Sequence, residues 1–391
     1  MSKSKLDRSK LKPATKLTSA AREFNEHGMV NPAVYRASTI TFPDVETLKS
    51  GSQPYIYGRR GTPTSLAIET AIAELEGGYK CKVAPSGQAA ISVALLSFLS
   101  PGDHLLVTDT VYGPVRELCR TVLDRMGIET TYYDPLIGEK LRTLMKPNTK
   151  VVYLESPGSQ TMEIQDVPLL AKIAHEAGAL AMIDNTWSGG HFLKAFEHGC
   201  DVSVQAATKY ITGHSDCMFG SIVCTEKTWA PLKATYEAMG MFAGPDDMYL
   251  ALRGLRTLDV RMERHMKSAI TIAEWLRGRD EVETVLHPAL TNAPGHEIWK
   301  RDFKGSSGLF SIILKPTSEK AVAAMLDDMQ LFAMGYSWGG FESLMIPFNP
   351  IRTATNWQAN GQALRLQIGL EHPDDLIADL EQGLKRLKNS P

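Results

Sequence analysis

The chain has 391 residues, 43% hydrophobic and 22% charged, an ordinary globular composition with material for two or three domains of ~150 residues. Lys plus Arg (42) and Asp plus Glu (44) leave a net charge of −2, so charge gives no push toward nucleic acid or a membrane surface. No apolar run reaches the length of a membrane span.

The first stretch, "MSKSKLDRSKLKPATKLTSAAR", is basic and nearly free of acid. It lacks the apolar core of a secretory leader and reads as a mobile arm that orders only against a partner surface. An organelle address fits less well, because the arm is rich in Lys rather than Arg. Residues 1–60 are expected to form this arm together with extended segments marked by Pro and Gly, "HGMVNPAVYRASTITFP" and "SGSQPYIYGRRGTPT".

From about Gly61 the pattern alternates. "PSGQAAISVALLSFLSPGD" predicts a helix with Ile91, Leu95 and Phe98 on one face. "DHLLVTDTVYG" predicts a strand and loop, and "VRELCRTVLDRMG" a helix closed by Gly127. "KVVYLESPGS" is a strand, "VPLLAKIAHEAGA" an amphipathic helix, "LAMIDNTWSGG" a strand, and "VSVQAATKYITGHSD" a further strand ending at Lys209. Nearly all-apolar strands between helices predict an α/β fold with a mostly parallel central sheet covered on both faces. In such sheets ligands sit beyond the carboxyl ends of the strands. The polar residues gather there: Asp109 and Tyr112, Glu155 and Ser156, Asp184 and Asn185, and Lys209. After Gly254 the pattern changes to a long helix, "RMERHMKSAITIAEWLRGR", and shorter strands, "GLFSIILK" and "ALRLQIGLE". The expected division is an arm at 1–60, a ligand-binding domain at 61–254 and a smaller α+β domain at 255–391.

Lys209 is fed by Val202, Val204, Ala206 and Ala207 and followed by a Gly-His-Ser-Asp turn. A desolvated amine there can act as a nucleophile or Schiff-base former; a lysine capping a strand with its ammonium in water is the plainer alternative. Asp184 ends the preceding apolar strand, where a carboxylate needs a cationic partner. That partner is either an arginine or a protonated heteroaromatic nitrogen. Asp184 with Lys209 favours the second, because a pyridoxal-phosphate site uses a lysine on the aldehyde and an acid on the ring nitrogen. Ser86, Gly87 and Gln88 open a helix whose N-terminus suits an anion, although Ser-Gly is also a common cap. Tyr112 could stack on a ring. Tyr57, Arg59 and Arg60 lie in an extended segment that also reads as a solvated loop. Arg365 and Gln367 face opposite to Leu364, Leu366 and Ile368, either as a polar strand face or as a clamp on an α-carboxylate. The histidines form no H-E-x-x-H, and His214 with Asp216 makes no metal set, so no metal is expected. Cys81, Cys119, Cys200, Cys217 and Cys224 are odd in number and contain no C-x-x-C pair. They predict neither a disulfide framework nor a zinc site, and a reducing, cytoplasmic location.

"QAATKYITGHSD", "MIDNTW", "YGRRGTPT", "LESPGSQTMEIQDVP" and "YSWGG" resemble the Cys/Met-metabolism group of fold-type I pyridoxal-phosphate enzymes, from about Val30 to Leu387. The resemblance implies Lys209 as the Schiff-base lysine, Asp184 on the pyridinium nitrogen and Tyr112 stacked on the ring. It implies Gly87 and Gln88 as backbone donors to the phosphate, with Thr208 near it and Tyr57 and Arg59 reaching it from a neighbouring subunit. Arg365 and Ser337 would hold the substrate carboxylate, with Tyr336 and Trp338 lining the pocket, in a homo-oligomer expected to be a tetramer. One departure is Ala206, where many relatives carry Ser, which removes a hydroxyl from the phosphate cradle. The implied activity is carbon–sulfur cleavage in an amino-acid thioether. Trp338 and the "SPGSQTMEIQDVP" loop favour β- over γ-elimination; the alternatives are a sister γ-acting enzyme or a broad cysteine-S-conjugate β-lyase or desulfhydrase. A cofactor-free Schiff-base aldolase or a non-catalytic binding protein on the same fold is disfavoured by Asp184, the cradle and an intact Lys209.

Overall fold

The computed structural model describes residues 7–291 and 293–390. Its larger sheet has seven strands: β1 (Lys80–Ala84), β2 (His104–Thr108), β3 (Glu129–Tyr133), β4 (Thr149–Glu155), β5 (Leu180–Asp184), β6 (Val202–Gln205) and β7 (Gly220–Cys224). Their order is β1-β7-β6-β5-β4-β2-β3. Neighbours from β3 through β6 pair in parallel, and β7 runs against both β6 and β1. The central strands are buried on both faces; β2, for example, reads His-Leu-Leu-Val-Thr without an exposed residue. That burial is why they show apolar runs rather than alternation. Helices such as Pro63–Glu76, Gly87–Leu96 and Val167–Glu176 cover them.

The smaller sheet is wholly antiparallel, in the order β10-β11-β9-β8, with β8 (Val282–Leu286), β9 (Leu309–Leu314), β10 (Leu344–Phe348) and β11 (Ala363–Gln367). The helices Leu258–Arg277, Glu319–Leu326 and Pro373–Asn389 pack on it around Phe310, Ile312, Leu364, Leu366 and Leu380. The two sheets belong to an α/β architecture with a smaller antiparallel-sheet domain.

Two expectations change. The strand expected to end at Lys209 stops at Gln205. Residues 207–213 instead wind into a helical turn: Thr212 N–H donates to the Ala207 carbonyl at 3.0 Å, and Gly213 N–H to the Lys209 carbonyl at 2.8 Å. Ala-Ala-Thr-Lys continues the apolar text of β6 but not its alternation, and Gly213, at φ +70°, ends the turn. The basic arm also differs from the mobile segment expected. Its first six residues lie outside the described ones. Residues from Arg8 onward dock within the chain, with the helix Pro13–Thr18 burying Leu17 beside Ala20 and Ala21. Arg8 forks onto Glu74, with Nε–Oε1 at 2.8 Å and Nη2–Oε2 at 2.6 Å. The Leu17, Ala20, Ala21 spacing is a short apolar stripe, and docking buries it.

One polar clamp joins the large sheet to the loop that follows β10. Asp109, just beyond β2, is buried. Its Oδ1 accepts from Arg116, from Thr353 N–H at 2.9 Å and from the Thr353 hydroxyl at 3.0 Å. Its Oδ2 accepts from Ala354 N–H at 3.0 Å, Thr355 N–H at 2.8 Å and the Thr355 hydroxyl at 2.7 Å. Burial opposes the charge, but the donors of Thr355, Thr353 and Arg116 outweigh it and bring the carboxyl down to about 2. Its stabilising contribution is therefore complete above the unfolded carboxyl value of ~4 and is lost as pH falls toward about 2. Asp109→Ala leaves Arg116 buried and unpaired and should cost about 3–5 kcal/mol at neutral pH. Urea melts should show this gap from wild type shrinking as pH falls below ~4; a gap independent of pH would count against the clamp.

Candidate active site

The carboxyl ends of the parallel strands and the loops of the smaller sheet enclose a cleft of about 690 Å³. β1 leads to Ser86, which caps the helix Gly87–Leu96. Its hydroxyl accepts from Ala89 N–H at 3.1 Å, and its carbonyl from Ala90 N–H. That leaves the N–H groups of Gly87 and Gln88 at the helix mouth for a ligand, with the dipole favouring an anion. Gly87 packs so closely on Ala206 that a Cβ there would lie 2.5 Å from the Ala206 Cβ. Here the small residue at 206 takes its meaning from packing: it lets the helix mouth close onto the β6 end. The Ala206 N–H is bonded to the Thr186 hydroxyl at 2.9 Å. Thr208 fastens the same region, its hydroxyl donating to the Phe219 carbonyl and accepting from the Phe219 N–H.

β5 delivers Asp184. Its Oδ1 takes both Thr186 donors, N–H at 2.9 Å and hydroxyl at 2.5 Å. No described residue donates to Oδ2, and Asp184 lines the cleft. Burial pushes its carboxyl up, while Thr186 and then Lys209 pull it down. A buried carboxylate oxygen that faces a cleft without a donor is suited to a protonated ring nitrogen.

Lys209, half-buried, projects into the same cleft. Its Nζ donates to the Ser337 hydroxyl at 2.8 Å and sits 5.3 Å from the centre of the Trp338 ring. Burial and the Arg365 charge lower the amine to about 8, against the pull of Asp184. The turn that follows Trp338 is tight: a Cβ at Gly339 would come 2.9 Å from the Lys209 carbonyl carbon, and its φ of +83° suits glycine. β11 contributes Arg365, whose Nη2 donates to the carbonyls of Gly335, Tyr336 and Ser337 at 2.9–3.2 Å. Burial lowers it to about 10, which leaves it charged at neutral pH. It fixes the 335–337 turn and faces the cleft as a cation with no carboxylate of its own.

Tyr112 caps the short helix that begins at Gly113. Burial, then Asp184 and Glu155, raise its phenol, so it holds its proton at neutral pH. Tyr336 also lines the cleft and is 91% exposed. Lys209, Asp184, Tyr112, Gly87, Gln88, Thr208, Arg365, Ser337, Trp338 and Tyr336 therefore share one cleft. Tyr57 and Arg59 do not: Tyr57 is exposed, and Arg59 donates to the Glu237 carbonyl at 3.0 Å. Of the cleft's other arginines, Arg116 is paired with Asp109 and Arg352 with Glu163. Sequence reasoning had no signal for these two pairs, or for the link from Asp109 to Thr353, because the contacts form only when the chain folds. Among the described residues no His/Cys/Asp/Glu cluster could hold a metal, and none of the five buried cysteines is bonded to another.

An amine made reactive by burial, an acid waiting for a cationic nitrogen and a helix mouth for an anion fit one class of enzyme, the pyridoxal-phosphate-dependent class. The model of the Cys/Met metabolism PLP-dependent enzyme family matches residues 14–385, and the chain belongs to that family. It is 47% identical to a putative cystathionine beta-lyase of Rhizobium johnstonii, over 94% of this chain and 95% of that protein. It is 45% identical to the cystathionine beta-lyase MetC of Escherichia coli, over 92% and 94%. A solved cystathionine gamma synthase of Xanthomonas oryzae pv. oryzae superposes with a TM-score of 0.89 at 31% identity, covering 97% of this chain and 99% of that one.

An amine at about 8 makes a specific prediction. The rate at which cofactor-free protein takes up pyridoxal phosphate should climb roughly tenfold per pH unit below that midpoint and level off above it. Stopped-flow absorbance checks this; a midpoint near the ordinary lysine value of 10.5 would show an amine that is not desolvated. Lys209→Ala should lower turnover by at least about 10²–10⁴-fold, the worth of one positioned proton-transfer group.

Proposed function

We propose that this chain cleaves the Cβ–S bond of L-cystathionine by β-elimination, with water, to homocysteine, pyruvate and ammonia, the reaction named for its cystathionine beta-lyase relatives. The observation that carries this reading is Lys209 on Ser337 and over the Trp338 ring, with Arg365 behind the same turn. The higher identity to beta-lyases than to the gamma-synthase supports it.

Bound pyridoxal phosphate supplies an aldehyde that condenses with amines and a ring that accepts an electron pair. Gly87 and Gln88 N–H groups, with Thr208 beside them, would hold its phosphate, and Asp184 Oδ2 its ring nitrogen. Tyr112 would pack on the ring face. Arg365, freed by small movements from part of its carbonyl contacts, would bind the substrate α-carboxylate beside Ser337. Lys209 in its neutral form takes the Cα proton. The resulting ammonium, or the protonated phenol of Tyr112, gives a proton to the departing sulfur. γ-Elimination requires a second proton removed at Cβ and so an amine that travels along the substrate. Trp338, whose ring also packs 5.5 Å from Tyr210, is a bulky wall that restricts such travel.

The proposed assembly is a homo-oligomer of at least two chains, expected to be a tetramer. Within one chain the helix mouth has no uncommitted arginine, since Arg116 and Arg352 are paired and Arg365 serves the 335–337 turn. A phosphate dianion calls for a cation, and Arg59 on its segment beside exposed Tyr57 would supply one across a two-fold interface. A cytoplasmic setting and a role in methionine biosynthesis complete the reading, the first supported by five buried cysteines without a disulfide. Among the described residues no helix is long and apolar enough to cross a membrane.

Product analysis with cystathionine decides the reaction: pyruvate with homocysteine supports β-elimination, and 2-oxobutyrate with cysteine as main products overturns it. Arg59→Ala should weaken cofactor retention by about tenfold or more, the worth of a charge-assisted hydrogen bond. Sedimentation of an active monomer that keeps its cofactor would overturn the shared site.

A further inference from the structure

Glu155 and Asp184 end neighbouring parallel strands and are paired in register, so their side chains leave the same face of the sheet side by side. Both line the cleft. Their surroundings differ. Asp184 has two donors from Thr186 and the nearby charge of Lys209. Glu155 has one: its Oε2 accepts the Tyr112 N–H at 2.8 Å. No described cation touches Glu155, and no described residue donates to its Oε1. Asp184 is buried and Glu155 half-buried beside it; two adjacent carboxylates in such a wall oppose joint ionisation, and the one with fewer donors takes the proton.

We propose that Glu155 is a neutral carboxylic acid, with its proton on Oε1 as a hydrogen-bond donor facing the cofactor cleft and its Oε2 positioning Tyr112. Oε2 already receives a hydrogen, so Oε1 is the oxygen free to carry one. The groups that face it agree with this state. Asp184 from β5 is the acid with the more donors; Tyr112, at the cap of the helix after β2, and Tyr153 from β4 are phenols raised by burial. The charge of Lys209 is felt at Asp184 and that of Arg365 at Tyr112. Burial and Asp184 push Glu155 well above the usual carboxyl range. The arrangement leaves Asp184 as the single anion at the ring end of the cleft. An amino-acid substrate that brings a carboxylate to Arg365 then meets no second negative charge from Glu155. The inference concerns the cofactor-binding wall and holds whichever thioether is cleaved, so product analysis and the test below fail independently.

The test compares Glu155→Gln, neutral and nearly isosteric, with Glu155→Ala in the cofactor-loaded enzyme. Infrared difference spectra at neutral pH should show a protonated-carboxyl C=O band in wild type that is missing from Glu155→Gln and disappears from wild type only at alkaline pH. The dissociation constant for pyridoxal phosphate should stay close to wild type in Glu155→Gln and rise about tenfold in Glu155→Ala, which leaves the Tyr112 N–H unpaired. Identical wild-type and Glu155→Gln spectra, or a Gln variant that loses as much cofactor affinity as the Ala variant, would overturn the proposal. If Glu155→Gln does not fold, Glu155→Ala serves for the infrared comparison: loss of the carboxylic-acid band supports Glu155, and a band that persists overturns it.

Discussion

The burial of charge at the carboxyl end of β5 and in the turn after β6 governs how everything around the cleft is built. Asp184 and Lys209 are taken out of water without being paired to each other, a costly state for both. Asp184 is kept ionisable by Thr186, whose hydroxyl also takes the Ala206 N–H and so ties the β5 and β6 ends together. Lys209 keeps an amine lowered to about 8 because burial surrounds it and Arg365 stands behind it. An acid and an amine held apart in this way suit the roles proposed for them, in which the cofactor would bring a protonated nitrogen to one and an aldehyde to the other.

Maintaining that state requires the smaller domain. Arg365 on β11 and the 335–340 turn come from beyond the large sheet, and they reach Lys209 because Gly339 lets the turn lie against its backbone. The Asp109 clamp does the same for the loop after β10, fastening residues 353–355 to the end of β2 and so setting Ile351 and Arg352 against the cleft. Each clamp is a polar contact between residues distant in the chain, and each is satisfied by several hydrogen bonds, as buried charge demands.

This division explains what could be read from the sequence. The parallel sheet was legible because strands buried on both faces are written as apolar runs, as in β2 and β4, and because reactive residues stand at their ends. Lys209 reads as the end of β6 because Ala206 and Ala207 extend the apolar text, whereas the backbone has already turned after Gln205. In the arm, the lysines mask the stripe Leu17, Ala20, Ala21, which only the surface offered by the helix Pro63–Glu76 makes meaningful. Glu155 was visible at a strand end, but its relation to Asp184 depends on β4–β5 register, which no local pattern encodes. The Thr353 and Thr355 partners of Asp109, 244 and 246 residues away, were beyond any reading of spacing.

Lys209 is the amine proposed to join the cofactor. Borohydride reduction of the cofactor-loaded enzyme, digestion and mass mapping tests it most directly. One stable pyridoxyl group per chain is expected, on the peptide containing Lys209. Pyridoxyl on a different lysine, or no labelled peptide from an enzyme that is active and cofactor-loaded, would contradict it.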